Sequence, residues 1–101
     1  MEFDIKMNVK VKNTNGNELE ACRVVIDQID AQIIKLLSER KEVVEKVWEI
    51  KQQTEKGAYD EKRQEEVMQT RTQWGEELGL DTSFVKTIFD KMHDYYVRIQ
   101  K

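Results

Sequence analysis

The sequence contains no proline and only one cysteine in 101 residues, and each of these low counts excludes a class of structure. The lack of proline, together with 37% charged residues, favours long helices over a turn-rich all-β fold. A single cysteine, Cys22, gives neither a disulfide framework nor a metal site. No run of about 18 consecutive apolar residues occurs, so the sequence predicts no membrane-spanning helix.

The net charge is only -3, which leaves no global basic field to hold nucleic acid or an anionic membrane. Any cationic site must therefore be local. The sequence has no activated nucleophile, no ligands at metal spacing and no Gly-rich phosphate loop, so we expect no metal and no cofactor. The first residues include no apolar run of signal-peptide length, and we expect a cytoplasmic protein.

Residues 1–17 are predicted to form an N-terminal extension to a helical domain at 18–101. From Phe3 to Val11, apolar and polar side chains alternate, which is typical of a β-strand. A single strand is not stable alone. It either pairs with a second copy, packs against a helix or stays mobile.

The first of three predicted helices begins near Glu18 and ends at about Thr54 or Lys56, before Gly57. Such a helix is on the order of 55 Å long. Apolar residues recur along it every three or four positions, at Cys22, Val25, Ile26, Ile29, Ile33, Leu36, Leu37, Val43, Val44 and Val47. A small monomer cannot cover this stripe, so we expect an intertwined homodimer in which the long helices pack together.

A second helix opens with Asp60 as its N-cap and ends before Gly79, and a third is capped by Asp81, Thr82 or Ser83. The third helix carries a broad apolar face, made by Phe84, Val85, Ile88, Phe89, Met92, Tyr95, Tyr96 and Ile99. The predicted fold class is therefore all-α, with three helices of unequal length.

Arg40 and Lys51 interrupt the apolar stripe of the first helix. At about 100° per residue, Arg40 lies within roughly 20° of Ile33, Val47 and Lys51. Two cations on a seam that should be buried suggest an anionic ligand, because an unpaired buried charge is costly. The alternative is that their aliphatic stems are buried while the charged groups reach water. In the first case Arg40 suits a carboxylate and Lys51 a single oxygen.

Arg23 lies roughly 25 Å from Arg40 along the helix, too far to share a ligand within one chain. In an antiparallel dimer, Arg23 of the partner subunit could reach the pocket and make two symmetric composite sites. Taken alone, Arg23 is a solvated surface residue.

Several segments carry a family resemblance. In chain order they are Arg23, "IDQID" at 26–30, "LLSER" at 36–40, Lys51, "YDEKRQEEV" at 59–67, "LGLDTSFVKTIF" at 78–89 and Gln100. Together they resemble the all-helical AroQ class of chorismate mutases, over residues 19–100 and without a gap. The resemblance implies a homodimeric, cofactor-free enzyme that converts chorismate to prephenate by a Claisen rearrangement in phenylalanine and tyrosine biosynthesis.

The resemblance also implies roles for individual residues. Arg40, Arg63 and Arg23 of the partner subunit would bind the two substrate carboxylates. Lys51 and Gln100 would donate hydrogen bonds to the ether oxygen of the enolpyruvyl group.

Other positions of the family pattern fall around the substrate ring. Asp60 and Gln64 fall where the family contacts the ring hydroxyl, although many members have Glu in place of Gln64. The expected pocket lining is Val47, His93 and Val97. Tyr96 stands where many members have a small hydroxyl residue, and its phenol either points out of the pocket, donates to a substrate carboxylate or narrows the site.

Two alternatives remain open from the sequence. Isochorismate-pyruvate lyases share this fold, and a pocket-lining His93 leaves that activity open. The second enzymatic hypothesis is therefore a lyase or mutase that acts on isochorismate or on an amino-substituted chorismate. A non-catalytic helical dimerisation or regulatory module is the third hypothesis. It requires the cations to be solvated surface residues.

Overall fold

The computed structural model of the chain describes residues 17–53 and 61–100, and these form three helices. They are α1 (Glu18–Gln53), α2 (Glu61–Glu77) and α3 (Thr82–Ile99). The predicted all-α class is confirmed. The predicted N-terminal strand, the end of the first helix beyond Gln53 and the Asp60 cap lie outside the described residues. The chain divides into two compact units, and the boundary falls within α1, after Val43.

Helix α1 begins at Glu18, as predicted. The carbonyl of Asn17 accepts a hydrogen bond from the amide of Ala21 at 2.9 Å, which closes the first helical turn. Glu18 and Glu20 lie in this turn and Lys51 lies in the last one. Acidic residues at the N-terminus and a basic residue at the C-terminus both complement the helix dipole.

The apolar stripe of α1 remains open to solvent in a single chain. Among the described residues, no side chain of this helix is buried. Ile26 is 53% exposed, Leu36 62% and Val43 63%, and Cys22 on the same stripe is also exposed. Contiguous apolar surface of this kind marks an interaction site more often than a solvated face.

A glycine turn joins α2 to α3. Gly79 has φ of 79°, a left-handed conformation that glycine adopts without steric cost. The amide of Leu80 donates to the carbonyl of Gly75 at 2.8 Å, and the amide of Gly79 donates to that of Glu76 at 3.0 Å. This is a Schellman motif, and it ends α2 at Glu77, just before Leu78 and Gly79.

Asp81 is the N-cap of α3, one of the three caps that the sequence allows. Its carboxylate accepts a hydrogen bond from the Phe84 amide at 3.1 Å and another from the Ser83 hydroxyl. The Ser83 hydroxyl, followed by the Phe84 amide, lowers the pKa of Asp81 below its ordinary value. The carboxylate therefore stays charged at neutral pH, where it also favours the positive end of the helix dipole.

Helices α2 and α3 pack closely where they face each other. Val67 and Val85 are each only 6% exposed, and Gly75 is buried beside Val85. The guanidinium carbon of Arg71 lies 4.7 Å from the centroid of the Trp74 ring, a cation–π contact. The α2–α3 pair thus supplies a small core.

We predict that Gly75→Ala destabilises this packing. A methyl group at Gly75 would lie 2.6 Å from Cγ2 of Val85, a branched side chain with little rotamer freedom. Alanine gains about 1 kcal/mol in helix propensity, but overpacking costs about 1–3 kcal/mol. We expect a net loss of up to about 2 kcal/mol in the free energy of unfolding, measured by urea denaturation at fixed protein concentration.

The control is the same substitution in a Val85→Ala background, where the clashing methyl groups are absent. There Gly75→Ala should be neutral or stabilising. An equal loss in both backgrounds would show that close packing against Val85 is not the cause.

Candidate active site

Two predicted site residues lie in the first compact unit. Arg23 is exposed, and its guanidinium is 3.8 Å from the carboxylate of Glu20, one turn earlier on α1. Such exposed ion pairs contribute little to stability, so Arg23 can exchange Glu20 for another anion at small cost. Arg40 is half-buried, in contrast to its exposed neighbour Glu39.

Val47 and Lys51 belong to the second unit, at the C-terminal end of α1. They are four residues apart, so they share one face of the helix. Val47 is 42% exposed and Lys51 is half-buried. The carbonyl groups at the end of a helix carry partial negative charge and favour a cation in the last turn, where Lys51 lies.

Helix α2 contributes Arg63 and Gln64 from its first turn. The side chain of Arg63 is 58% exposed, and its Nη1 lies 3.4 Å from the carboxylate of Glu66. Gln64 is half-buried and precedes the buried Val67 by one turn. Asp60, the remaining predicted contact of this region, lies outside the described residues.

Helix α3 brings four predicted site residues onto one face. His93, Tyr96, Val97 and Gln100 are spaced at three- and four-residue intervals, the spacing of neighbours on a helical surface. Gln100 is the C-cap of α3, and its amide donates to the carbonyl of Tyr96 at 3.1 Å. Gln100 and His93 are both half-buried.

An open groove of about 420 Å³ borders this face of α3. It is lined by His93 and Val97, both predicted as pocket residues, and by Asp94 and Arg98, which the sequence prediction missed. Their sequence positions indicate a place beside the groove, because Asp94 and Arg98 each directly follow a predicted pocket residue and are four residues apart. The groove therefore combines an apolar wall with ionisable groups.

Tyr96 is the most buried of those predicted site residues that the structure describes, with 9% of its surface exposed. Its ring meets the Trp48 ring edge to face, with centroids 6.5 Å apart and an interplanar angle of 78°. Within the second unit, this contact joins the part of α1 that carries Lys51 to the part of α3 that carries Gln100. The sequence alone does not predict this partner of Trp48.

Cationic and amide side chains of the kind predicted here suit the binding of an anion. Cationic side chains lie on α1 and α2, and neutral amides on α2 and α3. Over the described ranges, no group of three or more His, Cys, Asp or Glu could hold a metal ion. In the same part of the chain, no helix is both long and apolar enough to span a membrane.

The family model of chorismate mutase type II matches residues 22–101. No match was found among curated proteins or among solved structures. The matched region includes α2, α3 and all of α1 from Cys22 onward, and it confirms the predicted resemblance. It identifies the protein as an isomerase that converts chorismate to prephenate. The chain belongs to the chorismate mutase type II family.

Proposed function

We propose that this chorismate mutase acts as a homodimer with two composite active sites. The observation that carries the proposal is the open apolar stripe of α1, in which Arg40 and Lys51 are half-buried. Two copies of α1 can cover this stripe against each other, and a two-fold axis then produces two identical sites. Each site takes Arg40 and Lys51 from one chain and Arg23 of the partner subunit from the other.

Three arginines hold the substrate. Chorismate carries two carboxylates, and a guanidinium can bind a carboxylate through two parallel hydrogen bonds. Arg40, Arg63 and Arg23 of the partner subunit divide these contacts among them. Their role is to fix the compact substrate conformer in which the bond-forming carbons meet, because orientation supplies much of the rate enhancement of a unimolecular reaction.

Lys51 and Gln100 act on the breaking bond. In the Claisen rearrangement the carbon–oxygen bond of the ether breaks while a carbon–carbon bond forms, and negative charge grows on the ether oxygen. The Lys51 ammonium and the Gln100 amide donate hydrogen bonds to that oxygen and stabilise the charge in the transition state. The reaction needs no proton transfer and no covalent intermediate.

The remaining residues shape the pocket around the ring. Asp60 and Gln64 contact the ring hydroxyl, and an amide oxygen at Gln64 can accept its proton as a carboxylate would. Val47, His93 and Val97 line the pocket, and the Tyr96 hydroxyl faces a substrate carboxylate. We assign this domain to residues 18–101, with 1–17 as an extension, and place the enzyme in the cytoplasm, where a lone cysteine stays reduced.

Purified protein should convert chorismate to prephenate without added metal or cofactor. The assay follows the loss of chorismate absorbance and identifies the product by chromatography. The matched substrate is isochorismate, and we expect no salicylate or pyruvate from it. Faster formation of salicylate and pyruvate from isochorismate than of prephenate from chorismate would instead favour the lyase hypothesis.

Replacing either donor to the ether oxygen should slow the chemical step. We expect Lys51→Ala and Gln100→Ala each to lower kcat by about 10² or more, as does the loss of an oxyanion donor in other enzymes. Lys46→Ala removes an exposed cation of the same helix, paired with Glu49, and is the matched control. Wild-type turnover in Lys51→Ala would contradict the proposed site.

Mixing two inactive variants tests the composite site. Arg23→Ala and Lys51→Ala chains, refolded together, should form heterodimers in which one of the two sites contains only wild-type residues. Half of the dimers in an equal mixture are heterodimers, so we expect roughly a quarter of the wild-type activity.

The control mixture combines Arg40→Ala with Lys51→Ala. These residues are proposed to serve a site from the same chain, so no heterodimer contains an intact site and no activity should return. If the Arg23→Ala and Lys51→Ala mixture also stays inactive although heterodimers form, Arg23 does not act across the interface.

A further inference from the structure

The contact between Trp48 and Tyr96 joins two helices at a point that the proposed chemistry depends on. Tyr96 on α3 is 9% exposed. The other buried apolar side chains of the described residues are Val67 on α2 and Val85 on α3. The centroid of the Tyr96 ring is 6.5 Å from that of the Trp48 ring and 5.7 Å from that of the Tyr95 ring. An edge-to-face pair of this kind fixes the orientation as well as the separation of its rings.

Each ring lies about one helical turn before a proposed donor to the ether oxygen. Trp48 precedes Lys51 by three residues on α1, and Tyr96 precedes Gln100 by four on α3. The backbone also links the second pair, because the Gln100 amide donates to the Tyr96 carbonyl at 3.1 Å. Each ring is therefore attached to the backbone segment that carries a donor.

The end of α1 is largely exposed over the residues that the structure describes. No side chain of the described part of α1 is buried, and Val47 and Ile50, on either side of Trp48, are 42% and 51% exposed. Trp48 itself is half-buried. Its contact with the Tyr96 ring links this segment to α3.

We propose that Trp48 is a positioning residue, whose contact with Tyr96 sets the distance between Lys51 on α1 and Gln100 on α3. This inference rests on the proposed roles of Lys51 and Gln100. Two donors can serve one oxygen only if their spacing matches it, and a misplacement of about 1 Å by a residue outside the chemistry can cost roughly a hundredfold in rate.

The inference predicts a change mainly in kcat. Donors to the ether oxygen act most strongly in the transition state, whereas the arginines that hold the carboxylates act equally on the substrate. Trp48→Leu removes the ring contact and keeps an apolar side chain. We expect it to lower kcat by about 10- to 100-fold and to change KM by less than about threefold.

Two further variants separate positioning from stability. Trp48→Phe keeps an aromatic edge and should restore kcat to within about threefold of the wild type. Trp74→Leu makes the same change at a half-buried tryptophan on α2, which stacks on Arg71. It should lower the Tm but leave kcat near the wild-type value.

A double-mutant cycle with Lys51→Ala completes the test. If Trp48 acts by placing Lys51, then Trp48→Leu should change kcat by less than about twofold once Lys51 is gone. Equal losses of kcat in both backgrounds, or an equal loss in Trp74→Leu, would overturn the inference. Should Trp48→Leu fail to fold, Trp48→Met, which also removes the ring and keeps an apolar side chain, takes its place in the cycle. A loss of kcat that occurs only when Lys51 is present would then support positioning. An equal loss of kcat with and without Lys51, or no loss in either case, would refute it.

A failure of the positioning role of Trp48 is distinguishable from a failure of the proposed function. Wild-type turnover in Lys51→Ala alone contradicts the role of Lys51 as a donor, whatever Trp48 does. A loss in Lys51→Ala with no effect of Trp48→Leu keeps the proposed function and refutes only the positioning role.

Discussion

The solvent-exposed apolar stripe of α1 is the constraint on which the rest of this molecule depends. Hydrophobic burial stabilises a fold by roughly 25 cal/mol for each Å² removed from water, and α1 realises little of it in one chain. The small core between α2 and α3, around Val67 and Val85, belongs to a hairpin of modest size. The proposed dimer would therefore serve folding as well as catalysis, because it covers the stripe.

The same stripe accounts for the proposed role of cations in a largely apolar setting. Arg40 and Lys51 are half-buried, so their charged groups lie where a dimer interface would exclude part of the surrounding water. Electrostatic interactions strengthen as water leaves, and the cost of removing a cation from water is offset when an anion joins it. A dianionic substrate meets that condition. A rearrangement without proton transfer needs no acid or base from these residues.

Local features of this fold could be predicted from the sequence, and contacts between helices could not. The start of α1 near Glu18 and a cap of α3 at one of residues 81–83 follow from the chemistry of neighbouring residues, which acts over one turn. Periodicity also predicts that His93 and Val97 share a face. It does not give the separation of two helices, so the meeting of Trp48 with Tyr96 appears only in three dimensions.

The proposed composite active site would have a thermodynamic consequence. Ligand binding and subunit association are linked, so a substrate that requires Arg23 of the partner subunit must tighten the dimer by the same factor by which the dimer tightens the substrate. At high dilution, mass action would separate the chains and expose the stripe of α1 again. Chorismate would then act as an assembly factor for its own enzyme, and the cellular concentration of the chain would help to set the activity of each molecule.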